Sequence, residues 1–328
     1  MALSLQLMAG PCSQIRLYAQ ADAQPQALQT AGSRPEFDVA SVKQNKTNGP
    51  RRSNFPLDSG NVYSTVGADD VRNPTGSYLS ATNQPLWRYI VFAYKLSGTQ
   101  ELALRFNYFS GVADSKVPAW VSGGFDSAAD GYDIEARAPG IVTKDQMRLM
   151  MQSLLADRFK LAVHMETREA PVFALVLVRP GQTGPQLKPH AKDDPCTGAA
   201  QSSAAAGQLP AACGVIARLQ PSVPGRYSIG GRGVTLDLLA SSLPTQTGLA
   251  TISKPVIDRT GLTGTFDFSM EWAPEVNAGA PAGAPQQAEV PGPPFAEALK
   301  QQLGLKLVAQ KGPIEVLVID HVERPSAN

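Results

Sequence analysis

Histidine, cysteine and carboxylate side chains are where chemistry would begin, and this chain has few candidates. Its three imidazoles are His164, His190 and His321. His164 and His321 fall in or beside apolar runs that read as strands. His190 lies in a Pro/Gly/Ala-rich stretch, so no two histidines have zinc-ligand spacing. His164-Met165-Glu166 places two ligand types on one strand face, a pairing that surface strands commonly carry for no metal. No Gly-x-Ser-x-Gly elbow marks a nucleophilic serine, although a Ser-His-Asp set gathered from distant positions would leave no local trace. Ser228-Ile229-Gly230-Gly231-Arg232-Gly233 lacks the Gly-Lys-Ser/Thr ending that seats a phosphate and reads as a flexible turn. The expectation is a chain with no catalytic, cofactor-binding or metal-binding set, and not an enzyme.

Other residues invite a role in binding or bracing. Cys12 sits near the N-terminus, which leaves Cys196 and Cys213 as a disulfide candidate. Closing that loop would contribute roughly 3 kcal/mol if the geometry allows; the alternative is two unrelated thiols. Asp133 and Asp267 occupy matching places in two similar stretches. Trp120 stands between Pro118 and Gly123-Gly124. All three are candidates to line a binding groove, against the plainer alternatives of repeated turn chemistry and a loop anchored on the core.

The elements that must position them come in a repeated order. Tyr132-Asp133-Ile134-Glu135 reads as a strand, followed by a helix from Gln146 to Arg158 capped by Thr143. Phe159-Lys160-Leu161, a charged turn at Glu166-Thr167-Arg168-Glu169 and Pro171 to Val176 follow as a hairpin. Phe266-Asp267-Phe268-Ser269, a helix from Phe295 to Leu303, Leu305-Lys306-Leu307 and Pro313 to Val318 repeat the series. Ahead of each aromatic-Asp strand stands a strand, turn and helix: Ser77 to Tyr94, with Asn83 as cap, and Arg226 to Leu243, capped by Thr235. Met147, Met150, Met151, Leu154 and Leu155 form an apolar stripe that reads as core. The expected fold is α+β, with two β-α-β-β-type units, each a small, mostly antiparallel sheet with helices on one face. The expected division is 1–33 an export-signal remnant and linker, 34–180 the first unit, 181–224 a Cys-containing linker, and 225–328 the second unit with a mobile loop at 274–294.

Composition narrows the partners. Lys plus Arg number 29 against 28 Asp plus Glu, so no field exists to attract nucleic acid. No run reaches the about 18 apolar residues of a membrane span, so the mature chain should have none. The apolar stretch Ala2 to Ala9 and the small-x-small sites Ala19-Gln20-Ala21 and Ala21-Asp22-Ala23 read as an export signal without a basic leader. A periplasmic or extracellular address is expected.

Four blocks resemble a known family. They are Pro35-Glu36-Phe37-Asp38-Val39-Ala40-Ser41-Val42-Lys43; Leu154-Leu155-Ala156-Asp157-Arg158-Phe159-Lys160-Leu161; Val256-Ile257-Asp258-Arg259-Thr260-Gly261-Leu262-Thr263-Gly264; and the ending Val316 to Ser326. They resemble soil-associated proteins of unknown function expanded in acidobacteria, which look exported and are sometimes attached to membrane metallopeptidase sensors of the BlaR1 type. The chain lacks the membrane helices and His-Glu-x-x-His site of those peptidases. Separately, Thr235 to Gly248 and Ala296 to Leu305, with its Gln-Leu-Gly-Leu ending, resemble the helices of the short N-terminal domain of secretins and TonB-dependent receptors. These resemblances imply a binding or sensory module of the cell envelope that meets an envelope protein or peptide. The alternatives are an envelope hydrolase acting on peptide or glycan and a structural envelope protein.

Overall fold

The computed structural model describes residues 34–47, 49–54, 56–59, 77–106, 117–122, 130–194, 207–247, 251–274 and 290–325. The expected export segment, Cys12, Cys196, Gly123-Gly124 and most of the 274–294 loop lie outside them. Residues 34–328 belong to one compact unit. The elements run β1 (Val39–Asn45), β2 (Arg52–Ser53), β3 (Tyr78–Pro85), α1 (Leu86–Tyr94), α2 (Gly98–Phe106), α3 (Ala119–Ser122), β4 (Gly131–Arg137), α4 (Lys144–Arg158) and β5 (Ala162–Leu177). They continue with β6 (Leu187–Pro189), β7 (Val215–Arg218), β8 (Tyr227–Val234), α5 (Leu236–Thr247), β9 (Val256–Asp258), β10 (Phe266–Trp272), α6 (Phe295–Ala298, running on as a π-helical turn Leu299–Leu303) and β11 (Leu305–His321). Mixed α+β with three mostly antiparallel sheets is the class expected.

Two of the sheets share one strand order, β1-β4-β3-β2 and β6-β10-β8-β7. Their central strands alternate as the pleat requires: Tyr132, Ile134 and Ala136 face inward from β4, and Phe266, Phe268, Met270 and Trp272 from β10. One core packs this face of the first sheet against α1 and α4, and a second packs β8 and β10 against α5 and α6. The methionine stripe of α4 is core, as read: Met147, Met150 and Met151 are buried. A capping box starts α4, with Gln146 N donating to Thr143 Oγ1 at 3.2 Å and Thr143 N to Gln146 Oε1 at 2.9 Å. Left-handed residues end the two corresponding helices, Lys160 (φ 49) after α4 and Gly304 (φ 70) after α6.

Several local readings need correction. The two expected hairpins do not form. Instead β5 and β11 are single long strands that pair with each other, from Leu305↔Leu177 to His321↔Ala162. Glu166-Thr167-Arg168-Glu169 contains no Gly, Pro, Asn or Asp to turn the chain, so the strand passes through and its charges face solvent. Neither Pro171 nor Pro313 interrupts the ladder. β11 is an outer strand, and β9 joins the far side of β5 only at Phe173–Leu175, so each proline can direct its missing donor away from a neighbour. The segment expected as a linker supplies the outer strands β6 and β7. The glycine-rich turn is strand β8, where Cβ atoms on Gly230 and Gly231 would lie 2.6 Å from Leu219 and 2.8 Å from the Val215 carbonyl. Asn83 caps no helix; it is the φ 53 residue of a bulge, and α1 begins after Pro85.

The β5–β11 ribbon crosses from one core to the other. Leu317 and Ile319 lie in the first, Leu175 and Leu305 in the second. At its waist Ala170, Val172, Ile314 and Val316 receive Leu102 and Ala103 of α2. Both cores should therefore unfold in one step. Leu305→Ala and Ile319→Ala, at opposite ends of β11, should each destabilise by about 2–5 kcal/mol and lower the midpoint of the same urea transition. Two separate transitions would show that the ribbon does not couple the cores.

Candidate functional site

The two sheets place an aspartate at the same register, Lys43↔Asp133 in one and Lys188↔Asp267 in the other. In each case a bulge in the next strand turns a left-handed residue's N–H onto the carboxylate. Asn83 N donates to Asp133 Oδ1 at 2.7 Å, and Gly233 N to Asp267 Oδ1 at 2.7 Å, with φ values of 53 and 58. The outer strand adds a second donor. At Asp133 it is the Asn45 amide, 2.8 Å away; at Asp267 it is the imidazole Nδ1 of His190, 2.8 Å away. Asp133 thus serves as a staple for a bulge, and so does Asp267, but with a reactive side chain in place of an amide.

Around Asp267 more groups converge. A carboxylate can only accept, so the His190 proton sits on Nδ1 and the ring presents Nε2 to its other side. Cys213 Sγ lies 3.7 Å from that Nε2. Cys213 reaches this point through a bridge to Arg232 of β8, and a Cβ on Gly233 would touch both Cys213 and His190. The His190 side chain is only 10% exposed. His190, Asp194 and Asp267 bring one ligand atom each within 4.8 Å of one another. As a metal site this trio is poor, because Arg232 Nε stands 3.6 Å from Asp194 and Asp267 Oδ1 already holds two donors. Asp267, His190 and Cys213 thus lie next to one another in space.

The other sequence candidates are placed differently. Trp120 is half-buried. Its ring meets Tyr132 edge-on at 6.4 Å, and the Arg324 guanidinium lies 5.0 Å over it. Arg324 also pairs with Asp130 at 2.9 Å. Burial, with the Asp130 charge adding to it and Arg324 opposing, pushes the Tyr132 phenol up to about 12. Trp120 therefore anchors the chain's last described residues on the first core. His164 pairs with Asp320 at 2.9 Å and His321 with Glu323 at 2.8 Å, both on the surface; Glu166 turns to Arg168 instead.

Two concavities stand out. One, about 350 Å³, lies between the start of β1 and α4, lined by Glu36, Phe37, Asp38 and Ala40 on one side and Met150, Leu154, Asp157 and Arg158 among those on the other. In the second half the corresponding outer segment is tied to the helix end, with Gly184 N donating to the Leu303 carbonyl and Gln186 N to the Gln302 carbonyl, each at 2.9 Å. The other concavity, about 280 Å³, surrounds Glu271. Burial raises the Glu271 pKa, but the Ser222 N–H and hydroxyl and the Arg226 guanidinium outweigh it and hold the carboxyl below its ordinary 4.5. Gln302 of the Gln-Leu-Gly-Leu run binds both backbone groups of Glu271, at 2.9 and 2.7 Å.

Sequence reasoning missed the His190–Asp267–Cys213 grouping. The matching of Asp267 with Asp133 was visible, but His190 is 77 residues from Asp267, and pairing β6 with β10 requires the fold. Fold and site together define an α+β protein whose two four-stranded sheets carry matching aspartate staples. The chain belongs to the family of proteins of unknown function DUF3738, which matches residues 88–322. Neither the curated proteins nor the solved structures contain a match.

Two outcomes follow from these staples. Asp133→Ala would strand the Asn83 N–H and the Asn45 amide and should destabilise by about 1–3 kcal/mol in urea denaturation. Glu271 is held more acidic when folded, so its contribution is present above pH 4.5 and is lost as pH falls through the folded value. Glu271→Gln should therefore melt below the native protein at pH 7, with the gap closing as pH falls below 4.5.

Proposed function

We propose that this chain is an exported, non-catalytic binding module of the cell envelope that takes an extended peptide into the groove between β1 and α4. The observation that carries this reading is the groove itself. Its floor is apolar, from Phe37, Ala40, Met150 and Leu154, and its rim is acidic, from Glu36, Asp38 and Asp157. Arg158, the one cation lining it, is paired to Asp157 at 3.2 Å. An outer strand beside a helix is a site for recognition by strand addition, in which backbone bonds give affinity and pockets for alternate side chains give specificity. The occupant is a peptide with an aliphatic anchor flanked by lysine or arginine. The resemblance to exported soil-associated proteins supports the envelope setting.

Two structural readings accompany it. The halves derive from one duplicated unit, supported by the shared strand order, the paired Asp staples and the left-handed residue after each second helix. The second is a disulfide between Cys196 and Cys213, the pair the sequence offers, with Cys213 set beside Arg232 of β8.

Fluorescence anisotropy with labelled five-residue peptides alternating lysine and leucine tests the groove. They should bind saturably, and their glutamate counterparts should not. Ser153→Trp, which fills the groove, and Asp157→Lys, which reverses its rim, should each weaken binding at least about tenfold, or 1.4 kcal/mol. Equal binding of both peptide charges, or none, would refute this reading.

A further inference from the structure

We propose that the concavity beside Glu271 is a binding site for a saccharide unit, a neutral ring whose hydroxyls both donate and accept hydrogen bonds. Ser228 of β8 is the first support. It is 7% exposed and lines the cavity, and among the described residues no hydrogen bond takes its hydroxyl. A shielded hydroxyl left without a partner lowers stability, and alanine at the same strand position would avoid that loss. The fold alone therefore gives no reason for a serine here, whereas a ligand hydroxyl would supply the missing bond. A comparison within the molecule agrees. Four residues beyond Asp133 stands Arg137, opposite Tyr78, and nearer the staple Glu135 stands opposite Ser80. Four residues beyond Asp267 stands Glu271, opposite Ser228, and nearer the staple Ser269 stands opposite Gly230. The same fold thus carries long side chains at these places in one sheet and small polar ones in the other.

The chemistry of the lining selects the ligand class. Glu271 accepts from the Ser222 N–H, the Ser222 hydroxyl and the Arg226 guanidinium at 2.7, 2.8 and 3.0 Å. Those donors hold the carboxylate ionised at neutral pH and fixed in place. A carboxylate offers about four acceptor sites, so one is left for a ligand. Gln186, whose Oε1 accepts from Ser269 Oγ at 3.3 Å, adds amide N–H groups that are uncommitted among the described residues. An acceptor, a donor and a hydroxyl that can act as either thus line one cavity, which is the complement of neighbouring hydroxyls on a sugar ring. Arg226 balances the charge of Glu271, so an anion or a cation entering the site meets a like charge as well as an unlike one. The volume of about 280 Å³ lies at the small end for a ligand pocket and suits one ring rather than an extended chain.

Isothermal titration calorimetry of the full chain at pH 7 tests the site. The probes are glucose, galactose, mannose and N-acetylglucosamine, with cellotriose and the β-1,4-linked trimer of N-acetylglucosamine as glycan ends. At least one of these should bind with a Kd of about 1 mM or tighter. Ser228→Ala breaks no bond inside the protein, so its urea midpoint should match the native one while the Kd rises at least about fivefold. Glu271→Gln, measured well below its melting temperature, should raise the Kd at least about tenfold, because a bond to a charged group is the stronger kind. Ser153→Trp, in the groove between β1 and α4, should leave sugar binding unchanged, so this site stands or falls apart from the peptide groove. Equal affinity for monomer and trimer would make the ligand a free sugar, and a trimer bound at least about tenfold tighter would make it a glycan end; either result supports the site. No binding by any of these sugars, a Kd that Ser228→Ala leaves unchanged, or tighter binding of glucosamine or glucuronate than of the neutral sugars would overturn it.

Discussion

The pairing of β5 with β11 is the constraint on which the rest of the molecule depends. Each four-stranded sheet with its two helices buries one face, but neither core is closed by its own half of the chain. The first core needs Leu317 and Ile319 from β11, and the second needs Leu175 from β5. Had the chain folded into two hairpins, each half would have been a separate small domain. Drawn out straight and paired, the same residues fasten the halves along an antiparallel ladder from Ala162 to Leu177. α2 then covers the middle of that ladder with Leu102 and Ala103.

Where sequence reasoning succeeded, local chemistry decided the outcome. The aromatic-Asp strands alternate inward and outward, Thr143 and Gln146 form a capping box, and the α4 methionines are core. Those features need only near neighbours. It failed where the deciding partner was distant. Glu166 to Glu169 resembles a turn because it is polar, yet only the presence of β11 alongside reveals a strand. Gly230 and Gly231 resemble a flexible turn because glycine is permissive, but here they are glycines because Leu219 and the backbone of β7 come too close for any side chain. Trp120 stood as either a groove wall or an anchored loop, and its neighbour Arg324 lies 204 positions later. The matching places of Asp133 and Asp267 were legible; the difference between their partners, Asn45 and His190, was not.

Matching positions in the two halves also separate structure from function without recourse to relatives. A feature present at both places, such as the carboxylate on the bulge, belongs to the fold. A feature present at only one is free of that explanation. The imidazole beside sulfur belongs to the second half alone, and the open groove beside the helix to the first. Bulges adjoin sites of this kind because they re-aim a backbone donor; here the re-aimed N–H holds a carboxylate, which in turn can hold whichever outer-strand side chain is supplied.

The ribbon has a further consequence for how the chain comes into being. β11 is the last of the described strands, and its far end completes the core whose other parts come earlier in the chain. A nascent chain that has emerged through residue 300 holds both four-stranded sheets, yet each core still lacks the residues that β11 supplies. Folding therefore waits for the C-terminal strand and proceeds through contacts of high sequence separation, which makes it slow. The polypeptide leaves the ribosome as an open chain and closes its two cores only when β11 arrives.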